Sequence, residues 1–322
     1  MVKNMDYIKI GDSGIKLSLI GLGGHEFLQD GSSRGFHEDL TRAVTPGQIF
    51  TGFGGEKRKH VLRAAFEYGI NVLDVTIDSE KEALGRNLQE VVPPHEVYVQ
   101  TRPAGMVYNY DKNNTRMARY DLLRAEVERI LTLIRRERID FFNVAFMKSA
   151  LDNDPEYLEK IKENVNRLKE AGLIRFACAD TFSGEWTYVK QIETGCFDVV
   201  YINFNFADCA AENRVLPLAK KNGMTVITRE PFMKGALFHM GSEIGVDNKN
   251  LLAHISLKWN ILHQHTDVVL IGVDNADQLR SNLSVLDNLQ FTSTEQELLE
   301  KLKRSTAYNE YSKTKAAKFL EE

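Results

Sequence analysis

Short apolar runs alternate along the chain with longer segments in which apolar residues recur every three or four positions. Eight of these runs are rich in Val, Ile, Phe and Tyr and have the length of β-strands, at residues 17–22, 70–75, 97–101, 139–146, 174–179, 199–204, 225–228 and 268–271. Several are apolar throughout, which is typical of strands buried on both faces of a parallel sheet.

The segments between the strands carry amphipathic helical patterns, for example at residues 57–68, 120–136 and 154–171. Strands that alternate with helices without a break in composition predict a single α/β domain over residues 1–322, a closed (β/α)₈ TIM barrel. An open, doubly wound sheet is the main alternative. No GxGxxG motif follows an early strand, and this argues against a dinucleotide-binding sheet of that kind.

Two segments depart from a plain barrel. The connection after the first barrel strand, at about residues 24–55, is long and rich in glycine, as is typical of a binding loop or lid. The tail at about residues 305–322 is polar and is expected to be a solvated terminus.

Composition narrows the classes of partner. The formal net charge is −4, without the basic face expected of a nucleic-acid-binding protein. The three cysteines have neither pairing nor metal-ligand spacing, which suits a reducing compartment. No run approaches the roughly 20 apolar residues of a membrane span. We therefore expect a cytoplasmic protein that acts on a small molecule.

Several motifs together resemble the aldo-keto reductases. They follow the order of that family over nearly the whole chain, at residues 7–24, 69–74, 82–86, 172–175 and 231–237, and at Gly272 with Gln278 and Asn282. The resemblance implies the reductases' barrel fold, in agreement with the strand pattern.

The resemblance also implies a reaction that this chain is poorly equipped to perform. The family protonates a carbonyl with a tyrosine, whose pKa is lowered by a lysine paired with an aspartate, and a histidine orients the substrate. Asp74 matches the aspartate, but residues 74–80 contain no tyrosine. Arg102 stands at the lysine position and Ala145 at the histidine position. The standard hydride transfer is therefore doubtful.

The positions that cradle a nicotinamide in the family are also changed. Asp180 and Thr181 replace a Ser-Asn pair after the fifth strand, Tyr201 replaces a glutamine, and Arg229 replaces the aromatic residue that stacks on the ring.

The adenosine end of the cofactor site is better kept. The resemblance assigns cofactor binding there to Gly235, Gly272, Asp274, Gln278 and Asn282. Asp274 replaces a basic residue near the ribose, and a carboxylate there accepts from a 2′-hydroxyl but repels a 2′-phosphate. NAD is therefore favoured over NADP, while an enzyme without a nicotinamide cofactor is equally compatible with the sequence.

Charged residues follow almost every predicted strand, where the active sites of such barrels lie. From this ring we predict catalytic roles for His25, Asp74, Arg102, Lys148 and Glu230, with Asp78 as a further acid or base. Substrate contacts are predicted for Asp180, Asn203, Asn205 and Arg229. Arginine suits carboxylate or phosphate, so we expect an enzyme that acts on a small polar or anionic, sugar-like substrate by elimination, isomerisation or hydrolysis.

Four alternatives stay open. Asp74 and Arg102 could form a purely structural ion pair. The chain could be an NAD(P)-linked oxidoreductase with relocated groups, in which Tyr108 or Tyr110 donates the proton beside Lys148. It could be a non-catalytic binder of a nucleotide or metabolite. A divalent metal site is the fourth, and its ligands would be His25, Glu26, Asp74 and Glu230.

Overall fold

The computed structural model describes residues 5–105 and 111–321. An antiparallel hairpin, β1 (Tyr7–Lys9) and β2 (Lys16–Ser18), precedes a closed barrel of eight parallel strands within this part of the chain. The barrel strands are β3 (Ile20–Leu22), β4 (Val72–Val75), β5 (Tyr98–Thr101), β6 (Ile139–Ala145), β7 (Ile174–Asp180), β8 (Val199–Asn203), β9 (Thr225–Arg229) and β10 (Val268–Ile271), with β10 beside β3. The predicted (β/α)₈ barrel is confirmed.

Helices surround the barrel, and each of the three patterns named above corresponds to one, namely α2, α4 and α6. The helices of the described residues are α1 (Leu40–Val44), α2 (Glu56–Glu67), α3 (Asp78–Glu90), α4 (Tyr120–Ile134), α5 (Lys148–Asn153), α6 (Tyr157–Glu170), α7 (Glu185–Glu193), α8 (Val215–Lys221), α9 (Ala236–Glu243), α10 (Lys249–Leu262), α11 (Ala276–Leu283), α12 (Ser293–Lys303) and α13 (Thr306–Leu320). None of those helices is both long and apolar enough to cross a membrane.

The amino-terminal end of the barrel is filled with apolar side chains. Ile10 and Leu17 of the hairpin region pack there on a layer of strand residues that includes Val72, Phe141 and Ile227. Burying an aliphatic or aromatic side chain of this size contributes about 1.5–3 kcal/mol. Because this end is closed, a site for a ligand is left to the opposite, carboxyl end of the strands.

The long connection at residues 24–55, called the insert below, folds back onto α3. Phe50 and Phe53 form a small apolar cluster with Ile77. Arg34 donates to two backbone carbonyls of the insert, and its guanidinium lies 4.3 Å from the centroid of the Phe53 ring. The insert therefore has its own anchoring core beside the mouth of the barrel.

The carboxyl-terminal segment differs from the solvated tail that its composition predicts. It forms α13, whose residues stay at least partly exposed, and this helix packs on the loops that follow β7, β8 and β9. Lys315 lies 3.5 Å from Asp208, and the Tyr308 ring stacks on Phe206. A Cβ at Gly184 would lie 2.3 Å from a backbone oxygen of α13, so the contact requires glycine. The sequence of a helix without a buried face predicts a solvated segment. Its packing could not be predicted, because the loops that it contacts are distant in the chain.

Candidate active site

The carboxyl ends of the parallel strands bring charged side chains together at the mouth of the barrel. Asp180 ends β7, Asn203 ends β8 and Arg229 ends β9. The Arg229 guanidinium donates to both oxygens of Asp180, at 2.8 and 3.1 Å, and to the Asn203 side-chain oxygen at 2.5 Å. Arg102, directly after β5, lies 4.0 Å from the same carboxylate. Four predicted site residues therefore form one charged cluster.

Asp180 is a buried anion whose partners come from the protein itself. Its side chain is 0% exposed, and it accepts from the Asn143 amide and the Tyr188 hydroxyl, each at 3.1 Å. The Arg229 guanidinium also lies over the Tyr201 ring, 4.6 Å from its centroid. A buried charge is tolerated when it is paired and hydrogen-bonded in this way. Asp180 thereby holds Arg229 in place, and its contact with substrate stays a prediction.

His25 follows β3 and pairs with a buried glutamate of α3. Its Nδ1 lies 2.7 Å from Oε1 of Glu80, whose other oxygen accepts from the Thr76 backbone N–H at 2.7 Å. The Glu80 side chain is 1% exposed and that of His25 is 37% exposed, so the ring reaches solvent. Burial alone would lower the pKa of His25, but the charge and hydrogen bond of Glu80 together raise it above its ordinary value.

Glu80 is a member of this candidate site that the sequence analysis did not select. Its place in the first turn of α3 is typical of a helix-capping glutamate, and it does accept from backbone N–H groups there. Its second oxygen faces a histidine 55 positions earlier in the chain. No local pattern connects the two residues, because the contact depends on β3 and β4 being neighbours in the barrel.

Asp74, near the end of β4, is a second ionisable group at the mouth with a raised pKa. A Cβ at Gly24 would lie 2.3 Å from the Asp74 carbonyl oxygen, so the backbone that leads to His25 is pressed against this strand. Burial raises the pKa of Asp74 to about 6, with the charge of His25 opposing the rise and that of Glu80 reinforcing it. The Asp74 side chain is half-buried and keeps access to solvent.

Three residues predicted for the ring have other partners. Lys148 begins α5, and its ammonium group lies 5.6 Å from the centroid of a Trp186 ring. Glu230 forms ion pairs with Lys234 at 3.0 Å and with Lys315 of α13. Asn205 donates to the Glu230 carbonyl and thereby fixes the loop after β9. These side chains order the rim on the α13 side, and no contact of theirs in the described residues joins them to His25 or Asp74.

Asp78, predicted as an acid or base, is instead a structural clamp. Its carboxylate pairs with Arg129 of α4 at 2.5 Å and with Lys81 at 3.0 Å, and accepts from the Gly47 backbone N–H at 2.7 Å. Burial opposes ionisation, but the charges of Lys81 and Arg129 lower the pKa of Asp78 to about 2. Asp78 therefore fastens the insert to two helices and stays ionised.

Comparison with known proteins decides the family. Residues 50–304 match the model of the Aldo/keto reductase family. The chain belongs to this family. The aldo/keto reductase barrel also agrees with a solved structure, aldo-keto reductase AKR11C1 from Bacillus halodurans in its holo form. That structure has a TM-score of 0.68 at 16% identity and covers 93% of this chain and 96% of that one.

Two curated members of the family are similar in sequence. One is the "NADH-specific methylglyoxal reductase" of Escherichia coli, 24% identical over 247 residues, which are 72% of this chain and 69% of that protein. The other is "Aldo-keto reductase YhdN" of Bacillus subtilis, 25% identical over 247 residues, where the match covers 72% of this chain and 64% of that protein.

The segment in which the aldo/keto reductase resemblance implies adenosine binding follows β10. Asp274 is paired with Lys57 of α2 at 2.5 Å, and its backbone N–H donates to the Gln278 side chain at 2.8 Å. Asn282 is buried, and the Phe27 ring of the insert lies on Gly272, 3.1 Å from where a Cβ would be. Gly235 precedes α9 with φ +94°. Lys57 thus supplies a positive charge where the sequence showed only a carboxylate.

The metal-site alternative finds no support in the part of the chain that the structure describes. Among the described residues, no group of three or more His, Cys, Asp or Glu side chains could hold a metal ion. Glu26, one of the ligands considered, accepts from the Gly54 backbone N–H at 2.6 Å and pairs with Arg34 at 3.6 Å. Tyr108 and Tyr110 lie outside the described residues.

Proposed function

We propose that this aldo/keto reductase family member is an enzyme that catalyses proton transfer next to a carbonyl group of a small polar or anionic substrate, leading to isomerisation or elimination. The observation that carries the proposal is the hydrogen-bonded pair of His25 and Glu80 beside Asp74. Two neighbouring ionisable groups with raised pKa values, one of them oriented by a buried carboxylate, have the arrangement expected of a general acid and a general base.

The two roles follow from the direction of each pKa. Burial raises the pKa of Asp74 to about 6, so at neutral pH it is mostly a carboxylate able to accept a carbon-bound proton. The Glu80 carboxylate stabilises the protonated form of His25, which can donate to a carbonyl oxygen. Loss of the C–H proton to Asp74 and protonation of the oxygen by His25 give an enol. For a substrate with a hydroxyl on the carbon that lost its proton, protonation of the former carbonyl carbon and loss of that hydroxyl's proton complete an isomerisation. Departure of a hydroxyl from the next carbon, together with the proton of the enol oxygen, releases water and completes an elimination.

The arginines supply the charge that such a substrate requires. Arg102 and Arg229 both lie beside the buried carboxylate of Asp180, so two fixed cations stand at the mouth of the barrel. A substrate carboxylate or a developing enolate oxygen would be stabilised there, because an anion is favoured by fixed cations in a site partly shielded from water.

The same contacts do not fit a nicotinamide ring. In the family resemblance, Asp180 and Tyr201 occupy the positions that bind the carboxamide, and Arg229 the position that stacks on the ring. Here the Asp180 oxygens already accept from Arg229, Asn143 and Tyr188, and the Arg229 guanidinium covers Tyr201. The cradle is therefore filled by the protein's own side chains, and the proposed reaction uses no step through a cofactor.

The proposal is tested by deuterium exchange in D₂O without added cofactor. Short 2-oxo acids and hydroxyketones are incubated with the enzyme, and loss of the proton next to the carbonyl is followed by NMR. We expect exchange well above the rate without protein, together with isomerised or dehydrated product for substrates that can form one. Exchange at the uncatalysed rate for every compound would refute the proposal.

The pH dependence of that exchange is expected to be bell-shaped. The rate rises as Asp74 ionises through its pKa of about 6 and falls at higher pH as His25 loses its proton. Because Glu80 raises the pKa of both His25 and Asp74, the Glu80→Gln variant should move the alkaline limb and the acid limb to lower pH. If the alkaline limb of the pH–rate profile did not move in this variant, His25 would not be the group whose deprotonation slows the reaction.

A second candidate function is an NAD(P)-linked carbonyl or alcohol oxidoreductase. It is favoured by the relative named for NADH and methylglyoxal and by the exposed side chain of Gln278. Titration of the protein with NADH and NADPH, followed by nicotinamide fluorescence and by calorimetry, separates the two functions. We expect no change in nicotinamide fluorescence at millimolar NADH. A saturable change would show that the Arg229 cluster opens, and would favour the oxidoreductase.

A further inference from the structure

We propose that a small apolar subsite between the insert and the loop after β5 receives the carbon tail of the substrate and limits that tail to about one carbon. The subsite is lined by Phe36, Ala43 and Val44 of the insert, by Ile77, and by Arg102 and Ala104. This inference rests on the proposed function, since it names the class of substrate as short 2-oxo acids and related carbonyl compounds.

The size of the subsite sets the limit on the tail. Its free volume is about 10 Å³, which is the space in which one water-sized group can be centred. A methyl group, which is slightly larger than a water molecule, would fill that space completely. A longer tail would require Ala43, Val44 or Ile77 to move.

The chemistry of the lining gives the substrate an orientation. The described lining is mostly aliphatic and aromatic, and Arg102 is its charged member. A substrate that places an anionic group against Arg102 and a methyl group against Ile77 lies next to the short loop that follows β4, the strand that carries Asp74. Phe36 also contacts the His25 ring edge to face, with 5.6 Å between centroids, so one wall of the subsite packs against the proposed acid.

Helices α3 and α4 hold both walls at a fixed separation. The insert is fastened where Asp78 accepts from the Gly47 N–H at 2.7 Å and Ser79 accepts from the Phe50 N–H at 2.8 Å. The opposite wall is fastened where Glu126 of α4 accepts from the Ala104 N–H at 2.9 Å. Because Arg129 bridges Asp78 and Glu126, one ion-pair network fixes the width of the subsite.

The test is a binding series of glyoxylate, pyruvate, 2-oxobutyrate and 2-oxovalerate, measured by calorimetry. We expect pyruvate to bind most tightly and 2-oxovalerate roughly 10-fold or more weakly, the discrimination typical of a misfit methylene. Val44→Ala should move the optimum to 2-oxobutyrate, and Ala43→Leu should move it to glyoxylate. Leu40→Ala, on the exposed side of the same helix α1, is the matched control and should keep the wild-type order.

The outcomes separate this inference from the proposed function. Opposite shifts in the two variants support the subsite even when none of the proteins exchanges deuterium, a result that would remove the proposed reaction alone. Deuterium exchange with an unchanged order of affinities in both variants would overturn the subsite alone. Absence of binding by all four acids at millimolar concentration would overturn the subsite as well.

Discussion

Replacing His25 by glutamine is expected to slow cofactor-independent deuterium exchange by roughly 100- to 10,000-fold, the usual contribution of a positioned general acid. Glutamine keeps a polar group of similar length near Glu80 but cannot deliver a proton near neutral pH. The measurement is the exchange rate by NMR at saturating substrate, with circular dichroism to verify the fold. Because His25 is 37% exposed, we expect little loss of stability.

The matched control is His60→Gln. His60 is an exposed histidine of α2, a neighbouring helix, and it takes no part in the site. Its substitution should leave the exchange rate within about twofold of wild type, since surface substitutions away from a site change little. Equal rates in the His25 and His60 variants would contradict the assignment of His25 as the acid.

Replacing Asp78 by asparagine is expected to give the largest loss of stability, about 3–5 kcal/mol in the free energy of unfolding, as is usual when one partner of a buried ion pair is removed. The change leaves Lys81, whose side chain is 0% exposed, without its carboxylate, and it frees Arg129 and the Gly47 N–H. Urea unfolding measures the effect. Asp277→Asn is the control, since Asp277 is 95% exposed and also pairs with an arginine.

The dependence of the unfolding free energy on pH in the acid range provides an independent check of the role of Asp78. The pKa of Asp78 is lowered from 3.8 to about 2, so its contribution to stability is complete above the unfolded value and is lost as the pH falls through the folded one. That lowering corresponds to about 2 kcal/mol, and the rest of the expected loss comes from the unpaired Lys81. Stability of Asp78→Asn should therefore vary less between pH 4 and pH 2 than that of wild type. If the free energy of unfolding fell equally steeply with pH in both proteins, a group other than Asp78 would be responsible for the loss of stability in acid.

The barrel could be predicted from the sequence because its determinants are local. Strands buried on both faces, such as β6 and β10, are continuous apolar runs, and each of the eight predicted runs overlaps a barrel strand. The position of the mouth followed as well, since parallel strands end at the same edge. The approximate location of His25, Asp74, Arg102 and Arg229 therefore needed no coordinates.

The pairing of those side chains needed the tertiary structure. Asp180 and Arg229 end strands separated by β8, yet they form a bidentate pair, because the guanidinium extends across the Tyr201 ring. Asp78 lies only four residues beyond Asp74 but faces α4 rather than the mouth, because it begins a helix that turns away from the strand.

The sequence by itself determined the fold, the family and the end of the barrel where chemistry can occur, since periodicity and motif order are properties of neighbouring residues. Only the tertiary structure decided which charged side chains form ion pairs with one another and which stay accessible at the mouth of the barrel. It paired Glu80 with His25 and Arg229 with Asp180. The physical reason is that the partner and the pKa of a buried ionisable group depend on atoms within a few ångströms, and the barrel brings those atoms together from distant parts of the chain.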